Sequence, residues 1–271
     1  MSTKAVHIEV VSELSTDAFL GALDRFVSRR GLSLYMFSDN GTNFTGTNRY
    51  LTGVFKYFES PEQKTKIADH CSNKGICWNF NPPCGPHFGG LWEAGIRSTK
   101  YHLKRVLNDH ALTFEELSTL CAKIEAILNS RPLSPLSNDA NEFNALTPAH
   151  FLIGTTLTAV PEHDLQEIPM NRVNRWQFIS KASQHFWNRY RDQYLHTLQQ
   201  RSKWTTDSPN LCQGDLVLLH DNQSLSTNWK LGRIEETFPG QDGVVRVATV
   251  KTSQGIFRRP VVKLSPLPYS S

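Results

Sequence analysis

The sequence predicts an α/β domain, followed by a long basic helix and then by a small all-β barrel. Three observations support this fold class. Up to residue 38, apolar segments alternate between the spacing of a strand and that of a helix. Between residues 172 and 204, apolar and aromatic residues recur every three or four positions, which is the period of a helix. After Gly214 the period changes to two, and turn residues separate short apolar runs, as in small closed barrels.

The first predicted unit is a strand, a helix and a second strand. Residues 5–11 alternate and are rich in β-branched side chains, which predicts a strand. A helix with Ser15 near its start follows, and Gly31 closes it. The second strand, at about residues 35–37, stops at Asp39, and the next residues tolerate the positive φ of a turn. Asp39 is therefore either a ligand-binding residue at the carboxyl edge of a sheet or an ordinary turn residue.

A second informative region begins with a short predicted strand at residues 76–80, which the prolines at 82 and 83 end. A helix is predicted from about Leu91. One face of it carries an acid at its N-terminal end and cations further along, which indicates either a solvated ion pair or a functional face. The positions on that face are Glu93, Arg97, Lys100 and Lys104.

The middle of the chain combines a core helix, a connection and the basic helix. Thr113 and Glu116 form a capping-box pattern, and the helix that they start should end at Arg131. Residues 154–171 are predicted to be a linker. The helix at 172–204 carries seven basic residues against one acid, a charge of +6 in a chain whose net charge is +4. Such a helix either lies against phosphates or is a solvated helix that bridges two domains.

The C-terminal strands carry several cations that could form one basic surface, although a mixed polar surface fits equally well. The cations are Arg233, Arg246, Lys251, Arg258 and Arg259. The predicted division is an α/β core at 1–153, the linker at 154–171, the basic helix at 172–204 and a small β-barrel at 205–271.

The bulk composition excludes several classes of protein. The chain has 271 residues, 39% of them hydrophobic, which is the composition of a globular protein. No apolar run reaches the roughly 18 residues that span a membrane, and no secretory signal is visible. We therefore expect an intracellular protein, nuclear or cytoplasmic. The spacing of the five cysteines fits neither a disulfide framework nor a zinc pair; they are Cys71, Cys77, Cys84, Cys121 and Cys212.

Several motifs together resemble a known family. The segments are 38–44 (SDNGTNF), 81–83 (NPP) and 86–94 (PHFGGLWEA), and further agreement comes from 2–7 (STKAVH), 128–133 (LNSRPL), 146–154 (LTPAHFLIG), 214–217 (GDLV) and 259–264 (RPVVKL). In this order they resemble the integrase region of BEL/Pao-type LTR retrotransposon polyproteins, over nearly the whole chain.

The resemblance implies a ribonuclease-H-like core with three essential carboxylates, a helical linker and a small SH3-like barrel that binds DNA. Asp39 matches the second carboxylate and Glu93 the third, and together they imply Mg²⁺ or Mn²⁺ as the cofactor. The implied reaction is DNA integration, in which a 3′-hydroxyl at the element's end attacks a target phosphodiester. The implied partners are the element ends, the target DNA and further copies of the chain. The implied DNA contacts are Asn40, Arg97, Lys100, Lys104, Arg233, Arg246 and Arg258.

The chain departs from the family pattern at its start. The family's first catalytic Asp and its zinc-binding domain lie upstream of the 2–7 motif, and Met1 precedes that motif directly. The expectation is an incomplete core in which residues 6–11 are an edge strand. The expected polynucleotidyl transferase lacks its first catalytic Asp and is therefore inactive. Two alternatives stay open: a domesticated nucleic-acid-binding protein that needs no metal, and a longer active enzyme whose true start is not Met1.

Overall fold

The computed structural model describes residues 3–38, 46–52, 76–80, 90–107, 110–137, 139–169, 172–199, 210–221 and 226–268. The chain divides into two compact units. The first comprises Met1–Val6, His102–Ala111 and Thr119–Ser271, and the second comprises His7–Tyr101 and Leu112–Ser118. Asp39 and Asn40 lie outside the described residues, and Glu93 is described only as a position in a helix.

The second unit contains a helix and a pair of parallel strands. Helix α1, Thr16–Arg30, begins where the Ser15 hydroxyl accepts the Ala18 N–H at 3.1 Å, and it ends at Gly31, whose φ of 88° favours glycine. Strand β1, Tyr35–Ser38, pairs in parallel with β2, Cys77–Phe80. These elements confirm the predicted helix and the two short strands.

The predicted strand at residues 5–11 is wrong. The structure has no strand there, and at Val6 and Val10 backbone groups that a neighbouring strand could pair bond to side chains instead. The backbone N–H and C=O of Val6 both bond to the side-chain amide of Asn129. Further on, the Glu9 carboxylate accepts from Arg25 and from Arg29, each at 2.8 Å. The predicted strand–helix–strand unit is therefore absent, and the parallel partner of β1 is β2.

Two long helices follow. Helix α2 is Gly90–Leu107, and helix α3 is Phe114–Asn129. The predicted capping box of α3 is confirmed: the Thr113 N–H donates to the Glu116 carboxylate at 2.8 Å, and the Glu116 N–H donates to the Thr113 hydroxyl at 3.3 Å. The C-terminal half of α3 is buried, with Leu120 and Ile124 at most 1% exposed, so it is a core helix as expected.

Short elements connect α3 to the next long helix. Strands β3, Ser134–Pro135, and β4, Ala145–Leu146, form an antiparallel pair, and helix α4 is His150–Ile153. Helix α5 is Arg175–Leu198, and its N-cap Asn174 forms a capping box with Gln177. The segment before α5 bonds to it: the Leu165 N–H donates to the Gln184 side chain, which in turn donates to the His163 carbonyl.

Helix α5 is a core helix. Neither the hypothesis of a helix lying against phosphates nor that of a solvated helix bridging two domains predicted this. Phe186 is fully buried and Trp187 is 1% exposed. Two of its cations are buried as well: the Lys181 ammonium donates to the Ile168 carbonyl, and the Arg191 guanidinium bonds to Asp192 at 2.9 Å. Two of the seven positive charges of this segment are therefore buried in the fold and cannot reach a phosphate.

The C-terminal part of the first unit is a five-stranded antiparallel sheet. The strands are β5 (Leu216–Leu219), β6 (Leu231–Pro239), β7 (Val245–Thr252), β8 (Gly255–Pro260) and β9 (Leu264–Pro266). Their order in the sheet is β8-β7-β6-β5-β9, and a 3₁₀ turn, Val261–Lys263, precedes β9. This confirms the all-β end of the chain and is compatible with an SH3-like domain. Within the described part of the chain, no helix is long and apolar enough to cross a membrane.

Candidate nucleic-acid interface

The two carboxylates of the sequence motifs fall at the ends of regular elements. Asp39 is the residue directly after β1, whose last residue, Ser38, pairs with Phe80 at the end of β2. Glu93 lies in the first turn of α2, which begins at Gly90. The Asp39 residue and the Glu93 side chain lie outside the described residues. Among the described residues, no group of three or more His, Cys, Asp or Glu could hold a metal ion.

Helix α2 presents a row of cations. Arg97, Lys100 and Lys104 are all exposed, and their spacing of three and four residues places them on one side of the helix. Elsewhere on the helix Ile96 is 50% exposed, His102 is buried, and Leu103 and Leu107 are partly buried. The cationic row is left accessible to solvent.

Arg233 was expected to contact DNA, and the structure contradicts this. The residue is 4% exposed, and its guanidinium donates to three backbone carbonyls, those of Ser137, Glu142 and Gly214. Ser137 and Glu142 lie in the connection between β3 and β4, and Gly214 lies just before β5, so Arg233 ties β6 to both of these segments. It is a structural residue, and a phosphate could reach it only if the fold opened.

Arg246 is exposed but already paired. Its guanidinium makes two bonds to the Asp242 carboxylate, at 2.9 and 2.6 Å. The hydrogen bonds from Arg246 are the main cause that lowers the pKa of Asp242 to about 2, with a further contribution from the Val244 N–H. Above that pH the pair is close to neutral, so Arg246 is a poorer candidate for a phosphate contact than its exposure suggests.

Three other cations of the sheet region are exposed, and within the described residues none of them forms a salt bridge. The Arg258 guanidinium lies 4.1 Å from the centre of the Phe238 ring, and that of Arg259 lies 5.4 Å from the centre of Phe257. Lys263, in the 3₁₀ turn, is the third. The sequence did single out Arg258, whereas Lys263 was missed because it follows the strand pattern that drew attention to the others.

A cleft of about 1330 Å³ lies beside the sheet in the first unit. Its walls are formed by the loop at 139–145, by the segment at 156–159, by Phe257 and Arg259 of β8, and by Lys263 in the 3₁₀ turn after β8. His220 also lines it. Burial, and then the charges of Lys263 and His196, lower the pKa of that imidazole. No part of this cleft was anticipated from the sequence, because its walls are distant in the chain.

Comparison with known proteins gives similarities of two kinds. A family model described as "Family of unknown function (DUF5641)" matches residues 174–267, from the start of α5 to the end of the sheet. Among solved structures, the chain is similar to one in the cryo-EM structure of the simian T-cell lymphotropic virus intasome in complex with PP2A regulatory subunit B56 gamma. That similarity covers 95% of this chain and 66% of the other, at 12% identity and a TM-score of 0.32, so this chain spans about two thirds of the length of that one. No curated protein matches the sequence.

Proposed function

We propose that the chain is part of a BEL/Pao-type retroelement integrase, a polynucleotidyl transferase that joins element ends to target DNA by metal-dependent strand transfer. The observation that carries the proposal is the position of the two motif carboxylates, one directly after a strand of a parallel pair and one in the first turn of a long helix. Carboxyl ends of parallel strands are the usual ligand sites of α/β folds. The proposal includes a ribonuclease-H-like arrangement of the core.

The donor set fits divalent metal ions. Asp39 and Glu93 offer only carboxylate oxygens, which are the ligands that Mg²⁺ prefers, with Mn²⁺ as a substitute. When bound, a pair of such ions supplies an activated hydroxyl nucleophile and stabilisation of the leaving oxygen. The role of the chain is then to hold the ions and to position the DNA end against them, with Asn40 beside Asp39 in sequence.

The DNA contacts proposed here differ from those that the sequence predicted. On α2 they are Arg97, Lys100 and Lys104, which are exposed on one side of the helix that carries Glu93. In the sheet region Arg258 remains a candidate, whereas Arg233 is excluded by its burial. These residues would contact phosphates and so position the DNA without reading its sequence.

A salt titration tests the DNA-binding part. Binding of a DNA duplex should weaken steeply as salt rises, because each phosphate contact releases counterions. Replacement of Arg97, Lys100 and Lys104 by Glu should weaken binding and reduce the slope of log K against log salt by about one per lost contact. Arg246→Glu is the matched control and should have a smaller effect. A flat salt profile would contradict phosphate-dominated binding.

A metal titration tests the catalytic part. Binding of Mn²⁺, measured by the relaxation of water protons, should weaken in Asp39→Asn and in Glu93→Gln. Residues 1–271 include two of the three carboxylates that the resemblance implies, so we expect a protein made of these residues alone to bind DNA and metal without strand transfer. Strand transfer by that protein that Asp39→Asn abolishes would contradict this expectation. DNA binding with no metal binding at all would favour the alternative, a domesticated DNA-binding protein without catalysis.

A further inference from the structure

The cleft beside the C-terminal sheet is too large for an ordinary small-molecule site. Its volume is about 1330 Å³, above the roughly 300–1,000 Å³ of typical small-molecule and cofactor pockets. Its lining is mixed, with aromatic and aliphatic side chains such as Trp229 and Leu231 next to amides and hydroxyls such as Asn144 and Thr158. A site of this size and character suits a segment of polypeptide better than a compact ligand.

Strand β8 presents two different rows of side chains. Phe257 pairs with Val250 and Arg259 with Ala248, and both of those partners on β7 are fully buried. Because side chains alternate along a strand, Phe257 and Arg259 lie on the inner side of the sheet, and both line the cleft. Arg258 belongs to the other row and lies over Phe238. The inner row, Phe257 and Arg259, therefore lines the cleft, and the outer row, which includes Arg258, faces away from it.

Strand β8 is also an edge of its sheet. In the strand order it has β7 on one side, and none of the described residues forms a strand on the other. Its pairing with β7 runs without a bulge from Gly255 to Pro260, whereas the pairing of β6 with β7 has two irregularities. A regular, exposed edge leaves backbone N–H and C=O groups available, and an extended peptide can pair with such an edge.

The charges on this edge select the partner. Arg259 and Lys263 line the cleft, both are exposed, and neither forms a salt bridge within the described part of the chain. The nearby Lys230 is different, since it is paired with Asp221. Two arginines on the edge strand disfavour pairing of β8 with β8 of a second copy, because like charges would meet. An acidic partner gains from the same charges.

We propose that the edge of β8 and the adjoining cleft bind an acidic, extended polypeptide segment of a partner protein, which adds a strand to the sheet. Its backbone pairs with β8, its acidic side chains meet Arg259 and Lys263, and its apolar side chains pack on Phe257. The Asp139 and Glu142 carboxylates on the 139–145 wall repel acidic groups, so they orient the segment with its acids toward β8. The inference is independent of the proposed DNA integration.

A synthetic peptide with the repeat Glu-Thr-Val-Thr tests the proposal, because its Glu and Val side chains then lie on one face of the extended chain. The same peptide with Gln in place of Glu, and a DNA duplex, are the comparisons. Fluorescence anisotropy of the labelled peptide with the full chain measures affinity, and hydrogen exchange read by mass spectrometry measures protection of residues 255–260. We expect the Glu peptide to bind and the Gln peptide to bind about tenfold or more weakly, since charge complementarity selects partners. Exchange at 255–260 should slow when the Glu peptide is bound.

Variants locate the site. Arg259→Glu and Lys263→Glu should each weaken the Glu peptide about tenfold, whereas Arg246→Glu, an exposed change on the adjacent strand, should not. Equal binding of the Glu and Gln peptides would overturn the proposal, and so would binding that leaves exchange at 255–260 unchanged. The proposal is also wrong if the DNA duplex binds, Arg259→Glu abolishes that binding and the Glu peptide does not bind. The cleft would then be a nucleic-acid surface.

Discussion

The side chain of Asn129 takes the place of a strand partner for the N-terminal segment. Asn129 is fully buried; its Oδ1 accepts the Val6 N–H at 2.8 Å, and its Nδ2 donates to the Val6 carbonyl at 2.7 Å. Asn129→Leu keeps the size of the side chain and removes both bonds. Each bond contributes about 1 kcal/mol net, and each Val6 group left unpaired costs about 1–3 kcal/mol more when buried. Since Val6 is only partly buried, we expect a loss of about 2–4 kcal/mol in the free energy of unfolding.

Thermal unfolding and urea titration measure this loss. For a protein of this size the midpoint should fall by about 5–15 °C. The matched control is Asn228→Leu, at an exposed position, which should shift the midpoint little. Asn129→Asp should also destabilise, because an ionised carboxylate would face the Val6 carbonyl without a donor. That variant should recover stability at acid pH, where the carboxyl group is protonated.

A truncation separates this interaction from general damage to the core. In a chain that begins at His7 the Val6 groups are gone, so Asn129→Leu should cost less than about 1 kcal/mol, since loss of both partners of a buried hydrogen bond is nearly neutral. An equal cost in the full and truncated chains would refute the reasoning, as would an Asn129→Leu variant as stable as Asn228→Leu.

Three further predictions concern the same unit. Arg233→Lys should lower the free energy of unfolding by about 2–4 kcal/mol in urea titration, because the donors of an ammonium radiate from one atom and cannot reach all three carbonyls that separate guanidinium nitrogens contact, whereas Arg246→Lys should leave it unchanged. Burial lowers the pKa of the His220 imidazole in the folded state. Below the ordinary imidazole pKa of about 6.5, the unfolded chain therefore binds more protons than the folded chain, and the free energy of unfolding should fall as the pH drops. His220→Gln should flatten this pH dependence in thermal unfolding, and the exposed His163→Gln should not. Tyr194→Phe removes the hydroxyl that donates to the Pro132 carbonyl, and should lower the free energy of unfolding by about 1 kcal/mol.

Elements that depend on neighbouring residues were predictable. The caps of α1 and α3 and the change to a period of two after Gly214 all follow from residues within a few positions of one another, and the structure places them as expected. Residues 5–11 have the same kind of local signal and are not a strand, since a strand needs a partner, and here the partner of Val6 is a side chain 123 residues away.

The candidate site divides in the same way. The positions of Asp39 and Glu93 relative to β1 and α2 follow from sequence alone, because each is set by the end of one element. Which of the cations are accessible to solvent does not follow from the sequence. Arg233 and Arg258 both lie in strands and read alike in the sequence, yet one is buried among carbonyls and the other lies exposed over an aromatic ring.

By itself, the sequence determined the helices and most strands, the motif carboxylates and the surplus of positive charge, since these depend on residue type and short-range spacing. Only the tertiary structure decided that α5 is a core helix, that Arg233 and Lys181 are structural cations, and that a cleft lies along β8. The physical reason is that burial and pairing depend on which distant segments meet, and a charged side chain has the same sequence signature whether it meets water, a carboxylate or a carbonyl.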